Sequence, residues 1–214
     1  IVSANANAGF SIVKYEGNGT NNATVGHGLS AAPDFVIHKT LSSTSSWRVA
    51  SSALANTDGY LKLESSVAES TNLGNDGSIT KGSLGATTIT LTAGAATSNN
   101  INASGSEYIM YCFHSVSGYS KIGSYAGNGT SQTITTGFQP DFVMLRKYDD
   151  NQDWMIWDSV RDGNPKTKRL EANNSDAEVS ETTNINFIST GFELTTSYYN
   201  DSGKNSIYMA FKIN

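Results

Sequence analysis

Apolar and polar residues alternate along short runs of this chain, and clusters of Gly, Asn, Ser and Asp separate the runs. Successive side chains on a strand point to opposite faces, so this period-two pattern predicts half-buried β-strands. Residues 108–113 and 207–213 show it with aromatic members. Residues 34–39 and 141–147 are apolar runs that follow a proline, which suits a strand entrance better than a central ladder. Residues 9–15 lead into Gly-Asn-Gly, where a first hairpin is expected, since glycine accepts the positive φ of a tight turn. Short runs also begin at Trp47 and Trp154. The best helix candidate, residues 66–70, is too short to matter.

The runs repeat. Tyr15, Gly17, Asn18, Gly19 and Thr20 return as Tyr125, Gly127, Asn128, Gly129 and Thr130. Pro33, Asp34, Phe35 and Val36 return as Pro140, Asp141, Phe142 and Val143, and Trp47 as Trp154. Gly9, Phe10 and Ser11 match Gly118, Tyr119 and Ser120; Leu63 and Glu64 match Leu170 and Glu171; residues 104–113 match 202–211. The blocks keep their order, and the changing offset places length differences in loops, chiefly residues 74–100. The expected fold is all-β, with two tandem related β-sandwich-like units from an internal duplication, residues 1–116 and 117–214.

Composition supports this reading. Asn, Ser and Thr fill 72 of the 214 positions; they are poor helix fillers but good turn and strand-surface residues. With 37% apolar and 10% aromatic residues the chain has material for a core, unlike disordered chains. The formal charge of −5 disfavours nucleic acid and anionic membranes as partners. The longest apolar stretch, residues 108–113, is far below the ~20 needed to cross a bilayer, so membrane insertion is not expected. One cysteine rules out an intrachain disulfide, and three scattered histidines give no metal-type spacing, so neither metal nor cofactor is expected. Ile1 is not an initiator methionine, which suggests a processed chain or a fragment.

The repeat offers an internal test of function. A residue required by a shared scaffold should recur, and one serving a unique site should not. Trp47 and Trp154 recur, which assigns both to the core; Cys112 aligns with Ala210 and reads as a buried, inert thiol. Neither His27, His38 nor His114 recurs as histidine. Trp157, opposite Ala50, and the pair Tyr198 and Tyr199 do not recur, so they are the expected surface aromatics. Sugar rings stack on aromatic planes while carboxylates and amides take their hydroxyls, so Trp157, Tyr198 and Tyr199, with Asp153, form the candidate ligand-binding set. The cluster of Asp149, Asp150 and Asp153 lacks the glycine and distal Glu of a calcium loop and reads as a solvated hairpin tip. Glycoside cleavage needs two facing carboxylates, for which Asp153, Asp158, Asp162 and Glu171 are available. No nucleophile elbow or phosphate loop is present in the sequence, and no catalytic residue is assigned.

Gly9 to Ser11, Tyr15 to Thr20, Gly26 to Leu29, Pro33 to Ile37, Trp47 and Tyr111 to Phe113, with their second-half partners, resemble a repeat family of tailed bacteriophages, especially marine and cyanobacterial ones. The resemblance spans Gly9 to Phe211, and the second half departs from it at Thr135 to Phe138. In that family the units stand in tandem within virion appendage proteins such as tail fibres and receptor-binding proteins. The resemblance implies a non-enzymatic structural or adhesive module on the surface of a phage-like particle, touching other virion proteins and host-surface glycans. Low charge and many strand edges further suggest a homo-oligomer, and in that setting a trimer. The alternatives are a surface polysaccharide-degrading enzyme with paired carboxylates and a secreted lectin-like adhesin.

Overall fold

A computed structural model describes residues 1–73, 77–92 and 100–213. The chain is all-β; the helical elements among the described residues are three single 3-10 turns, Ala6–Ala8, Lys81–Ser83 and Ser197–Tyr199. It divides into two compact units, one made of Ile1–Leu63 and Glu69–Ser115, the other of Glu64–Ala68 and Val116–Asn214. The expected cut after residue 116 had no place for the five-residue segment that joins the second unit. The helix candidate, residues 66–70, is not helical: the carbonyls of Ser66, Val67 and Ser70 accept from Gln152 N, Arg146 Nη2 and Tyr60 N.

In the first unit, strands β1 (Val2–Asn5), β2 (Phe10–Glu16), β4 (Phe35–Thr40), β5 (Arg48–Ser51), β6 (Leu61–Lys62) and β8 (Glu107–Phe113) form one sheet in the order β1-β2-β8-β4-β5-β6. Strands β3 (Ala23–Gly26) and β7 (Thr88–Leu91) pair separately. The second unit comprises β9 (Ser120–Ala126), β10 (Gln132–Thr135), β11 (Phe142–Lys147), β12 (Met155–Asp158), β13 (Lys166–Glu171), β14 (Val179–Ile188), β15 (Gly191–Leu194) and β16 (Asn205–Phe211). All eight share one sheet, ordered β10-β15-β14-β13-β12-β11-β16-β9. Each unit closes over its own core. In the first, Val13, Val36, Ala50, Met110 and Cys112 meet Ile79, Ile89 and Leu91. In the second, Val143, Leu145, Trp157, Tyr208 and Ala210 meet Ile134, Ile185, Phe187, Phe192 and Leu194. Alternate positions of each strand supply these residues, and each large apolar side chain removed from water stabilises its unit by about 1.5–3 kcal/mol.

The register of the central strands is the same in both units. Phe35 opposite Phe113 and Thr40 opposite Tyr108 in β4 and β8 return as Phe142 opposite Phe211 and Lys147 opposite Ser206 in β11 and β16. Phe35 opposite Ser51 returns as Phe142 opposite Asp158. Two sequence matches shift. Phe10 pairs with Phe113 as Ser120 does with Phe211, so the second unit carries one extra residue after Gly118. Likewise Lys62 opposite Arg48 corresponds to Glu171 opposite Met155, which aligns Leu61, and not Leu63, with Leu170. Residues 74–76 and 93–99 of the expected length-absorbing loop lie outside the described residues.

The repeated Tyr-x-Gly-Asn-Gly-Thr block does not open a hairpin, since β2 pairs with β1 and β8 and β3 pairs with β7. It is a latch across the sheet end. Tyr15 Oη donates to Ile101 O at 2.5 Å, and Tyr125 Oη donates to Tyr199 O at 2.6 Å. Asn102 Nδ2 donates to Asn18 Oδ1 at 2.8 Å, as Asn200 Nδ2 does to Asn128 Oδ1 at 2.7 Å. Both asparagines also donate to a threonine carbonyl, Thr20 or Thr130. Gly17 and Gly127 are glycines because a Cβ there would lie 2.2 Å from Ala103 O and 2.1 Å from Asp201 O. Gly127→Ala is therefore expected to cost about 1–3 kcal/mol, and Gly17→Ala the same in its own unit. Urea unfolding followed by hydrogen exchange will show each substitution lowering protection in one unit.

Candidate functional site

The expected ligand-binding residues separate into core and surface. Trp157 and Tyr199 are fully buried, and their rings meet edge to face at 5.0 Å. This corrects the expectation that both face solvent, because a side chain with no exposed surface offers no face to a sugar. They fail to recur for a packing reason: Trp157 and Tyr199 fill the places of Ala50 and Ile101 in a core that also takes Phe187 and Phe192 from β14 and β15. Arg169 Nη1 donates to Tyr199 Oη at 2.7 Å, with Glu171 accepting from Nη2 at 2.6 Å. Trp154 is buried as expected, whereas Trp47 is 36% exposed, which corrects the core place expected for it: its run of sequence recurs but its burial does not.

Tyr198 is the exposed member of the set. It sits in the 3-10 turn Ser197–Tyr199, its ring edge-to-face on Tyr199 at 4.9 Å and 5.4 Å from Lys147 Nζ. Lys147, at the end of β11, is nearly buried and bonds to Asp201 at 2.5 Å. Asp150 pairs with Lys204 at 3.2 Å, and hydrogen bonding from Lys204 holds the Asp150 carboxyl below its ordinary range. Asp149 Oδ2 accepts from Asn205 N at 2.9 Å, pinning the β11–β12 loop to the start of β16. A backed, half-exposed aromatic ring thus stands among fixed charges of both signs. Asp153 belongs elsewhere. It accepts from Asn173 Nδ2 at 2.7 Å and acts on Arg146, the neighbour of Lys147 on β11, whose side chain points to the opposite face.

The charged partners of Tyr198 were not among the expected site residues, although a signal existed. Lys147, Asp150, Asp201 and Lys204 stand where the first unit has Thr40, Ser43, Ala103 and Ser106.

The remaining candidates are occupied by structural work. Asp158 is raised by burial, but hydrogen bonds from the backbone and guanidinium of Arg161 outweigh this and hold it low. Asp162 accepts from Thr167 Oγ1 and from the backbone of Thr167, Gly163 and Lys168, which brings it down to about 2. A general acid needs the opposite shift. Cys112 is buried and forms no disulfide, and burial pushes its thiol up to about 12. His27 Nδ1 accepts from Leu29 N at 3.1 Å, and Thr136 Oγ1 accepts from Phe138 N at 3.3 Å, so two residue types fill one structural position. No group of three or more His, Cys, Asp or Glu converges among the described residues in a form that could hold a metal ion. Nor is any helix among them long and apolar enough to cross a membrane. A groove of about 230 Å³ in the first unit is lined by Ile1, Lys14, Tyr15, Glu16 and Glu107. It is smaller than ordinary ligand pockets, and Lys14 and Glu107 pair with each other across 2.5 Å.

No curated protein and no solved structure matches the chain. A family model described as a domain of unknown function, DUF7483, matches residues 1–214, and the chain belongs to that family.

Proposed function

We propose that this protein is a non-enzymatic structural and adhesive module of a phage-like particle, touching host-surface glycans through the Tyr198 face and neighbouring virion proteins elsewhere on its surface. The observation that carries the reading is the Tyr198 face itself: a half-exposed ring backed by Tyr199 and Lys147, with Lys147 paired to Asp201 and Lys204 to Asp150, at positions that are neutral in the first unit. Such a ring stacks on the C–H face of a sugar, while the flanking carboxylates and ammonium groups take hydroxyls. The resemblance of Gly9 to Phe211 to phage appendage repeats supports the particle setting. A single shallow face of this kind binds weakly, and many copies on one particle multiply the contact.

The carboxylates with a resolved shift, Asp150, Asp158 and Asp162, all lie below their ordinary range, which favours holding over proton transfer. Incubation with bacterial surface polysaccharide tests this. Retention of the polysaccharide without release of reducing ends is the expected result. Release of reducing ends would replace the adhesive reading with the polysaccharide-degrading one.

A further inference from the structure

The segment Glu64–Ala68 lies along the β11–β12 loop of the second unit as an extended strap. Arg146 Nη1 donates to Ser65 O at 2.8 Å, and Nη2 donates to Val67 O. Gln152 N donates to Ser66 O at 2.9 Å, and Ala68 N donates to Asn151 Oδ1 at 3.2 Å. The Arg146 guanidinium stands 5.0 Å over the Trp154 ring, so cation, ring and strap form one layer.

The first unit carries the same platform. Lys39 occupies the position of Arg146, with its Nζ 6.0 Å from the Trp47 ring, and Leu41 occupies that of Tyr148. The two platforms differ in cover. Trp154 and Tyr148 are 1% and 6% exposed, whereas Trp47 and Leu41 are 36% and 50% exposed. The strap has a counterpart too. Leu63 N bonds to Trp47 O as Ala172 N does to Trp154 O, which sets Glu64–Ala68 opposite residues 173–177. Residues 174–177 are exposed and carry Asp176, an anion suited to Lys39.

We propose that the face formed by Lys39, Leu41 and Trp47 takes residues 174–177 of a second copy of this chain, as the Arg146 and Trp154 face takes Glu64–Ala68. The contact is heterologous, one copy giving its strap and the next its platform, so it closes into a ring or propagates as a filament. It is small, at the low end of specific interfaces below about 1,200 Å², and gains strength through repetition. It does not rest on any glycan binding at Tyr198.

Sedimentation velocity over a concentration series tests the proposal. Wild-type chain is expected to associate with increasing concentration, and Trp47→Ser or Leu41→Ser, both at exposed positions, to weaken this about tenfold or more. Lys39→Glu and Asp176→Lys are each expected to stay monomeric alone and to recover wild-type association when mixed, because every platform then meets a strap of opposite charge. A monomeric wild type at every concentration, full association of the Trp47→Ser and Leu41→Ser variants, or no recovery on mixing would overturn the proposal.

Discussion

Trp157→Ala is expected to destabilise the second unit by about 3–5 kcal/mol, the range for truncating a large aromatic in a closed core. Trp157 has no exposed surface, sits beside Tyr199 and takes part in the cluster with Val143, Met155, Phe192 and Leu194. Its removal leaves a void that Ala50 in the sister unit does not leave, because Ile101 stands there in place of Tyr199 and the core closes around smaller groups. Hydrogen exchange localises the effect. Amides of β11, β12 and β16 are expected to lose protection while those of β2 and β8 keep it. Equal loss in both sets would contradict two separately packed cores.

The second large effect is a dependence on pH that belongs to the first unit. His38 is buried, and burial, with the positive charges of Arg48 and Lys39, pulls its pKa down from 6.5 to about 3. Tyr15 Oη gives its proton to Ile101 O, so neutral His38 donates its Nε2 proton to the Tyr15 oxygen at 2.9 Å, and its ring stacks on Tyr108 at 5.5 Å. Between pH 6.5 and 3 the unfolded chain binds a proton that the folded unit refuses. Stability is therefore whole above pH 6.5 and falls on acidification, by up to about 1.4 kcal/mol per pH unit. At pH 4.5 the first unit is expected to have lost about 2–3 kcal/mol relative to pH 7.5. His38→Leu, which copies Leu145 of the second unit, removes the titrating group and leaves the Tyr15 bond to Ile101 O in place. Urea midpoints at the two pH values, read from exchange in β2 and β8, should then differ far less than in the wild type. An unchanged slope would place the acid sensitivity elsewhere.

The alternating pattern made the central strands legible. β8 alternates in sequence as it does in burial, whereas β11 and β16 are buried on nearly every residue, and β4 and β11 are legible as apolar runs behind a proline. β1 escaped notice because its four residues are all exposed, so no core contact stamps a period on it. The latch after β2 has the Gly-Asn-Gly composition of a tight turn, which predicts a hairpin; the requirement for glycine at Gly17 and Gly127 comes instead from a distant backbone. The strap Glu64–Ala68 was invisible for a similar reason, since its partners Arg146 and Gln152 lie some eighty residues away.

At the candidate site, non-recurrence has two physical origins. It marks any position where the two units differ, and a core repacked around a larger aromatic differs as much as a surface that gained a function. Trp157 and Tyr199 are the first kind. Tyr198 stands instead on the surface, beside Lys147, and Lys147, Asp150, Asp201 and Lys204 are charged at positions that are neutral in the first unit.

The adhesive account turns on Tyr198, and affinity electrophoresis of wild type and Tyr198→Ala through gels carrying bacterial surface polysaccharide tests it most directly. Loss of a stacking ring is expected to weaken retardation about tenfold, equivalent to about 1.4 kcal/mol, with the exchange protection of both units unchanged. Equal retardation of the two proteins would contradict the account.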